Sequence, residues 1–253
     1  MIRIIGADSK EQVGICAADV VSEVIKSKPA PVLGLATGSS PIEMYNELVR
    51  RNKAGEITFG SVRSVNLDEY VGLAPEHDQS YAYFMHTNLF DRVDIDPKNT
   101  NLPDGLAKNP EEECKRYDAV VASMGGIDLQ VLGIGLNGHI GFNEPSDAFS
   151  EGTVLVDLTP STIDANSRFF ADRSDVPTQA FSMGVGQIMS ADKILLIATG
   201  EAKSEILERA LFGEVTPRVP ASILQRANDV VVCADRAALK AILEKHPESV
   251  ELV

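Results

Sequence analysis

Short runs of apolar, largely β-branched residues recur along the chain, and helically spaced stretches separate them. The runs are Ile2–Ile5, Val32–Ala36, Val62–Leu67, Asp128–Leu132, Val154–Leu158, Lys193–Ala198 and Val230–Cys233. After the first run, Val13, Cys16, Ala17, Val20, Val21, Val24 and Ile25 follow the i, i+3, i+4, i+7 spacing of an amphipathic helix, with Ser9 as its N-cap. Helical patterns also cover Met44–Val49, Tyr81–Phe90, Glu111–Met124 and Arg236–Lys245. Strands that alternate with helices require right-handed crossovers, hence a mostly parallel sheet with helices on both faces. The expected class is α/β: a three-layer, open, Rossmann-like fold spanning residues 1–253 as one domain. Two stretches are long and poor in regular pattern, Glu69–Ser80 and Thr159–Val176. Long loops in compact domains are usually functional or disordered. The second carries Asn166, Ser167, Arg168, Phe169 and Phe170, so a mobile lid is expected over 159–176.

Charge narrows the partners. A net charge of −14 opposes general affinity for nucleic acid or an anionic membrane. No apolar run approaches the roughly 20 residues of a spanning helix, and the N-terminus lacks signal-peptide order. Cys16, Cys114 and Cys233 are far apart and have no CxxC spacing, as expected of reduced thiols in a cytoplasmic protein.

The stretch LGIGLNGHIGFNEP, residues 132–145, runs from an apolar strand into a glycine-spaced turn that presents Asn137, His139 and Glu144. Open α/β sheets bind ligands just past such strand ends. An acid five residues from a histidine can orient the imidazole for proton transfer, with Asn137 as a neutral partner. No nucleophile elbow adjoins it, which disfavours acyl transfer. No second His or Cys stands at ligand spacing, so no metal site is expected.

Four further segments carry candidates. Thr37, Gly38, Ser39 and Ser40 precede Pro41 at a helix start, which suits a phosphate or, equally, an ordinary serine-capped helix. Asp68 follows an apolar strand, where partial desolvation can make a carboxylate a base near neutral pH. On that segment alone, the simpler reading has Asp68 capping a turn and Glu69 solvated. Arg168 and Lys203 are the cations available for an anionic substrate in an otherwise acidic chain.

The combination LATGSSP, NLDEYVGL, LGIGLNGHIGFNEP, ANSRFF and TGEAK resembles the glucosamine-6-phosphate deaminases over nearly the whole chain. The resemblance implies conversion of D-glucosamine 6-phosphate and water to D-fructose 6-phosphate and ammonium, in amino-sugar catabolism, without metal or organic cofactor. It implies His139 as the ring-opening base, Asn137 and Glu144 as its relay, and Asp68 as the enolisation base. Thr37 to Ser40, Arg168 and Lys203 are implied to hold the 6-phosphate. The chain departs from the family at two places. Asn137 replaces an aspartate present in many members. Val154 and Val156 stand where allosteric members carry a basic pair. No activation by N-acetylglucosamine 6-phosphate is therefore expected, and a monomer or small homo-oligomer is. The competing readings are a galactosamine-6-phosphate isomerase, a 6-phosphogluconolactonase and a non-catalytic sugar-phosphate sensor.

Overall fold

The computed structural model describes residues 1–167, 170 and 172–253, with the side chains at 161, 165 and 166 also left aside. The strands are β1 (Ile2–Ala7), β2 (Val32–Leu35), β3 (Arg63–Asn66), β4 (Asp68–Tyr70), β5 (Thr100–Asn101), β6 (Leu129–Gly133), β7 (Val154–Asp157), β8 (Gln179–Ser182), β9 (Lys193–Ala198), β10 (Val230–Asp235) and β11 (Val250–Leu252). Eight form one parallel sheet in the order β11-β1-β10-β9-β6-β2-β3-β5. All of β10, and all of β9 after Lys193, is buried. A strand buried along its length must be covered on both faces, which is why these runs are continuously apolar and do not alternate. This is the expected α/β class.

The helices are α1 (Lys10–Ser27), α2 (Ile42–Lys53), α3 (Tyr81–Asn88), α4 (Pro110–Ser123), α5 (Pro160–Asn166), α6 (Val185–Met189), α7 (Ser204–Phe212) and α8 (Lys240–Lys245). Ser9 caps α1 as read from sequence, accepting from the Gln12 N–H at 3.3 Å. The apolar stripe of α1 packs against β1, β9 and β10, and α1 also packs on α2. Asn109 caps α4 ahead of Pro110, and three glutamates follow in its first turn, where the helix dipole favours negative charge. One apolar core takes in residues from Ile4 to Ile242. No described helix is long and apolar enough to cross a membrane.

Three expectations need correction. Val154–Asp157 is a strand, but it belongs to a second, antiparallel sheet ordered β4-β8-β7. Thr159–Val176, expected to be poor in regular pattern, holds two short helical elements. Thr159 caps α5 with Pro160 in its first turn, and Asp172 caps a 3-10 turn at Arg173–Asp175. The Thr-Pro pair was a readable start signal, but the helix is too short to show periodicity. The last helical pattern shrinks to Lys240–Lys245, because Asp235 accepts from the Ala238 N–H and holds the preceding residues in turns.

The connections set the position of the site. After β2 the chain moves outward to β3 and β5. After β6 it moves the other way, to β9, β10 and β11. The neighbours β2 and β6 thus flank the point where the winding reverses, where an open sheet leaves a crevice beyond its carboxyl ends.

Candidate active site

The loops after β2, β3, β6 and β9 all emerge at this carboxyl edge. Beyond β2, Thr37 to Ser40 lead into α2, whose N-cap position is Pro41 and which has no side-chain cap. The serine-cap alternative is thereby set aside: the first N–H groups of α2 receive no hydroxyl. Gly38 adopts a φ of 82°, open to the crevice, with no atom within 4 Å of where a side chain would start. A side chain at Gly133, the last residue of β6, would begin 3.4 Å from the Ser40 hydroxyl. On the next residue, the Ile134 carbonyl accepts from the Lys203 ammonium at 2.6 Å. Ser40 and Lys203, far apart in sequence, therefore meet at the tip of β6. Lys203 is half-buried, forms no ion pair among the described residues, and is pushed below the usual lysine range by desolvation. The loop bearing it is anchored by Asp235, both of whose carboxylate oxygens accept from the Gly200 N–H at 3.0 Å.

Asp68 opens β4, directly beyond the end of β3. The turn-cap and solvated readings both fail: Asp68 is 6% exposed and Glu69 3%. Glu69 accepts from the backbone N–H groups of Tyr70, Tyr81 and Ala82 and so fastens the start of α3 to β4. Asp68 Oδ1 is buried with no hydrogen-bond partner. Nearby phenols do not serve it: the Tyr45 and Tyr117 hydroxyls donate to the Ala36 and Asn66 carbonyls, each at 2.6 Å. Burial first, and the Glu69 charge second, push the Asp68 carboxyl up to about 8. Tyr81 lies near both Asp68 and Thr37 of the β2 loop.

The 137–144 turn completes the arrangement. The His139 ring lies over Gly135, where a methyl would collide with it. Asn137 bridges the turn: its Oδ1 accepts from the His139 N–H at 3.2 Å, and its Nδ2 donates to Glu144 Oε2 at 2.5 Å. Glu144 Oε1 stands 3.4 Å from His139 Nδ1, close enough for charge to act, but too long or too oblique for a hydrogen bond. Burial opposes ionisation of Glu144, but His139, Asn137 and Thr162 together outweigh it and hold the carboxyl below its usual range. Asn137 thus acts on the carboxylate and the turn, not on the imidazole.

Gly141 brings Asp68 and the histidine turn together. A side chain there would begin 3.2 Å from the Ser182 hydroxyl and 3.8 Å from Asp68 Oδ2. Ser182 pairs with Asp68 across β4 and β8 and accepts from the Phe142 N–H at 3.1 Å. Asn143 donates to the Ile140 and Met183 carbonyls and locks the same turn. Ser182, Asn143, Asp235 and Thr162 are contributors that the sequence reading missed. Only Thr162 had a signal, the Thr-Pro cap beside it. Arg168 lies outside the described residues. Among the described residues, no group of three or more His, Cys, Asp or Glu side chains could hold a metal ion.

Known proteins of similar sequence and fold identify the lineage. The family of glucosamine-6-phosphate isomerases and 6-phosphogluconolactonases matches residues 8–233. A glucosamine-6-phosphate deaminase of Clostridium perfringens (strain SM101) is 52% identical over 241 residues, covering 95% of this chain and all of that protein. One from Thermoanaerobacter sp. (strain X514) is 44% identical over 252 residues, covering both chains completely. A solved monomeric glucosamine-6-phosphate deaminase superposes with a TM-score of 0.92 at 39% identity, covering 94% of this chain and 99% of its own. A 6-phosphogluconolactonase from Thermotoga maritima, at 17% identity and a TM-score of 0.75 over 93% of this chain and all of its own, shares the fold. With matches this extensive in sequence and in structure, the chain belongs to the glucosamine-6-phosphate isomerase/6-phosphogluconolactonase family.

Proposed function

We propose that the protein deaminates D-glucosamine 6-phosphate, releasing D-fructose 6-phosphate and ammonium, as a cytoplasmic enzyme of amino-sugar catabolism. The observation that carries this reading is the buried Asp68, with an unpartnered oxygen, held across Gly141 from the His139–Glu144 pair. A lactonase needs no base at C2, whereas an aldose-to-ketose conversion does.

His139 takes the C1 hydroxyl proton and returns one to the ring oxygen, opening the pyranose. Glu144, held by Asn137, faces Nδ1 and stabilises the imidazolium that forms between these transfers. Asp68 removes the C2 proton, which the new aldehyde has acidified, and C1 is then protonated to leave an imine at C2. Water adds to that imine, and the amino group departs as ammonium. A carboxylate with its pKa raised toward 8 is a stronger base than an ordinary aspartate, which suits it to a weak carbon acid. Thr37, Gly38, Ser39, Ser40 and Lys203 receive the 6-phosphate, with the uncapped start of α2 supplying N–H donors. Residues 1–253 act as one unit, with 159–176 as its lid.

The reading is tested by ammonium release from glucosamine 6-phosphate, with galactosamine 6-phosphate and 6-phosphogluconolactone in parallel and EDTA as a control. Release from glucosamine 6-phosphate alone, unaffected by EDTA, is expected. Hydrolysis of the lactone without ammonium release would replace this function with a lactonase. Lys203→Met should raise KM about 10–100-fold with kcat largely kept, the worth of one charge-assisted contact made equally in ground and transition states. An unchanged KM would remove Lys203 from the phosphate site.

A monomer or small homo-oligomer without activation by N-acetylglucosamine 6-phosphate completes the proposal. Val154 and Val156 line a cavity of about 300 Å³ behind Glu144, and among the described residues its lining includes the carboxylates of Glu144 and Asp157 but no cation. An anionic effector would find repulsion there. Sigmoidal kinetics relieved by that effector would overturn this part.

A further inference from the structure

The geometry points to Thr162 as a positioning residue: its hydroxyl occupies the Glu144 oxygen nearest His139 and so competes with the imidazole for its acidic partner. This rests on the reading of His139 as the ring-opening base.

Both oxygens of Glu144 are engaged. Oε2 accepts from Asn137 on the same turn, and Oε1 accepts from Thr162 Oγ1, on α5, at 3.0 Å. His139 Nδ1 lies 3.4 Å from that same Oε1 and, although buried, is without a hydrogen bond. Hydroxyl stoichiometry fixes the direction of the chain. Thr162 has one proton and gives it to the carboxylate, so the 2.9 Å contact between the Thr159 and Thr162 hydroxyls must have Thr159 as donor. Thr159 is also the N-cap of α5, accepting from the Thr162 N–H at 3.3 Å. The clamp is therefore built into the first turn of that helix. The Asn137 bond holds the other carboxylate oxygen, so Oε1 is the one that Thr162 and Nδ1 share. A hydroxyl-to-carboxylate bond and an imidazole-to-carboxylate bond are each charge-assisted and of similar strength, so the two compete on near-equal terms.

Other charges near the turn are accounted for separately. Asp68 lies beyond Gly141, and Lys203 is held on Ile134. Arg218, beside the Val219 that packs over Gly138, pairs with Asp147, and Asp164 of α5 pairs with Arg173. Thr162→Val removes none of these and nearly preserves side-chain shape, so a change in His139 titration reports on Glu144.

The test is an NMR titration of the His139 ring in the ligand-free enzyme, assigned by its loss in His139→Gln. Thr162→Val should raise the His139 midpoint by about 0.5–1 pH unit, because the freed carboxylate stabilises the imidazolium. Thr162→Ser should return it to the parent value, and the His139 limb of the kcat/KM profile should follow both variants. A Thr162→Val midpoint equal to or below that of the parent would overturn the proposal. The titration needs no turnover, so its outcome is separable from that of the ammonium assay.

Discussion

Replacing Asp68 by asparagine should lower kcat by about 10²–10⁴-fold, the usual contribution of a positioned general base, while leaving substrate affinity largely intact. The same substitution should make the protein more stable at alkaline pH. The Asp68 carboxyl, ordinarily at 3.8, is pushed to about 8 in the folded chain, so the folded state binds its proton more tightly than the unfolded chain does. Its stabilising contribution is complete below pH about 4 and is lost as pH rises through about 8. An asparagine side chain does not titrate, so the stability difference between variant and parent should widen in the variant's favour between about pH 5 and pH 8, on the order of a few kcal/mol. Thermal melts across that range measure it. Parallel stability curves would show that Asp68 is not held protonated. In the parent, kcat/KM of the free enzyme should rise with pH through the same region, because only ionised Asp68 can take the C2 proton.

His139→Gln should cost about 10²–10⁴-fold on the cyclic sugar and far less on an open-chain substrate analogue, since only ring opening needs the imidazole. Gly135→Ala should reproduce this pattern without touching the histidine itself. The added methyl would occupy the space of the ring, and the ring must swing off its position facing Glu144. A misplacement of about 1 Å at a reacting group can cost about 100-fold. Comparing cyclic and open-chain substrates with both variants is decisive. Equal losses on the two forms would take the ring-opening role away from His139, and an unaffected Gly135→Ala enzyme would show that the ring position is not limiting.

Much of this arrangement was legible in the amino-acid order, for physical reasons that differ among residues. Asn137, His139 and Glu144 fall within one tight turn, so their proximity is nearly a covalent consequence of spacing. The apolar strand runs required a parallel sheet, and parallel strands place every following loop at one edge. That alone gathers Thr37–Ser40, Asp68, the histidine turn and Lys203 on the same side of the molecule. The second sheet was harder to read, because β8 is Gln-Ala-Phe-Ser, with neither an apolar run nor strict alternation.

What the sequence determined, then, is the layering of the fold and the local chemistry of each loop, because both arise from periodicity and from neighbours a few residues apart. Only the tertiary structure decided how those loops meet. Lys203 reaches Ile134 across 69 positions, Ser182 joins Asp68 to the histidine turn, and Thr162 reaches back 18 positions to Glu144. It also decided that Asp68 is buried with an unpartnered oxygen while Glu69 beside it is tied to three N–H groups. Burial and charge environment are properties of what packs from elsewhere in the chain, and two adjacent acids cannot be told apart until that packing is formed.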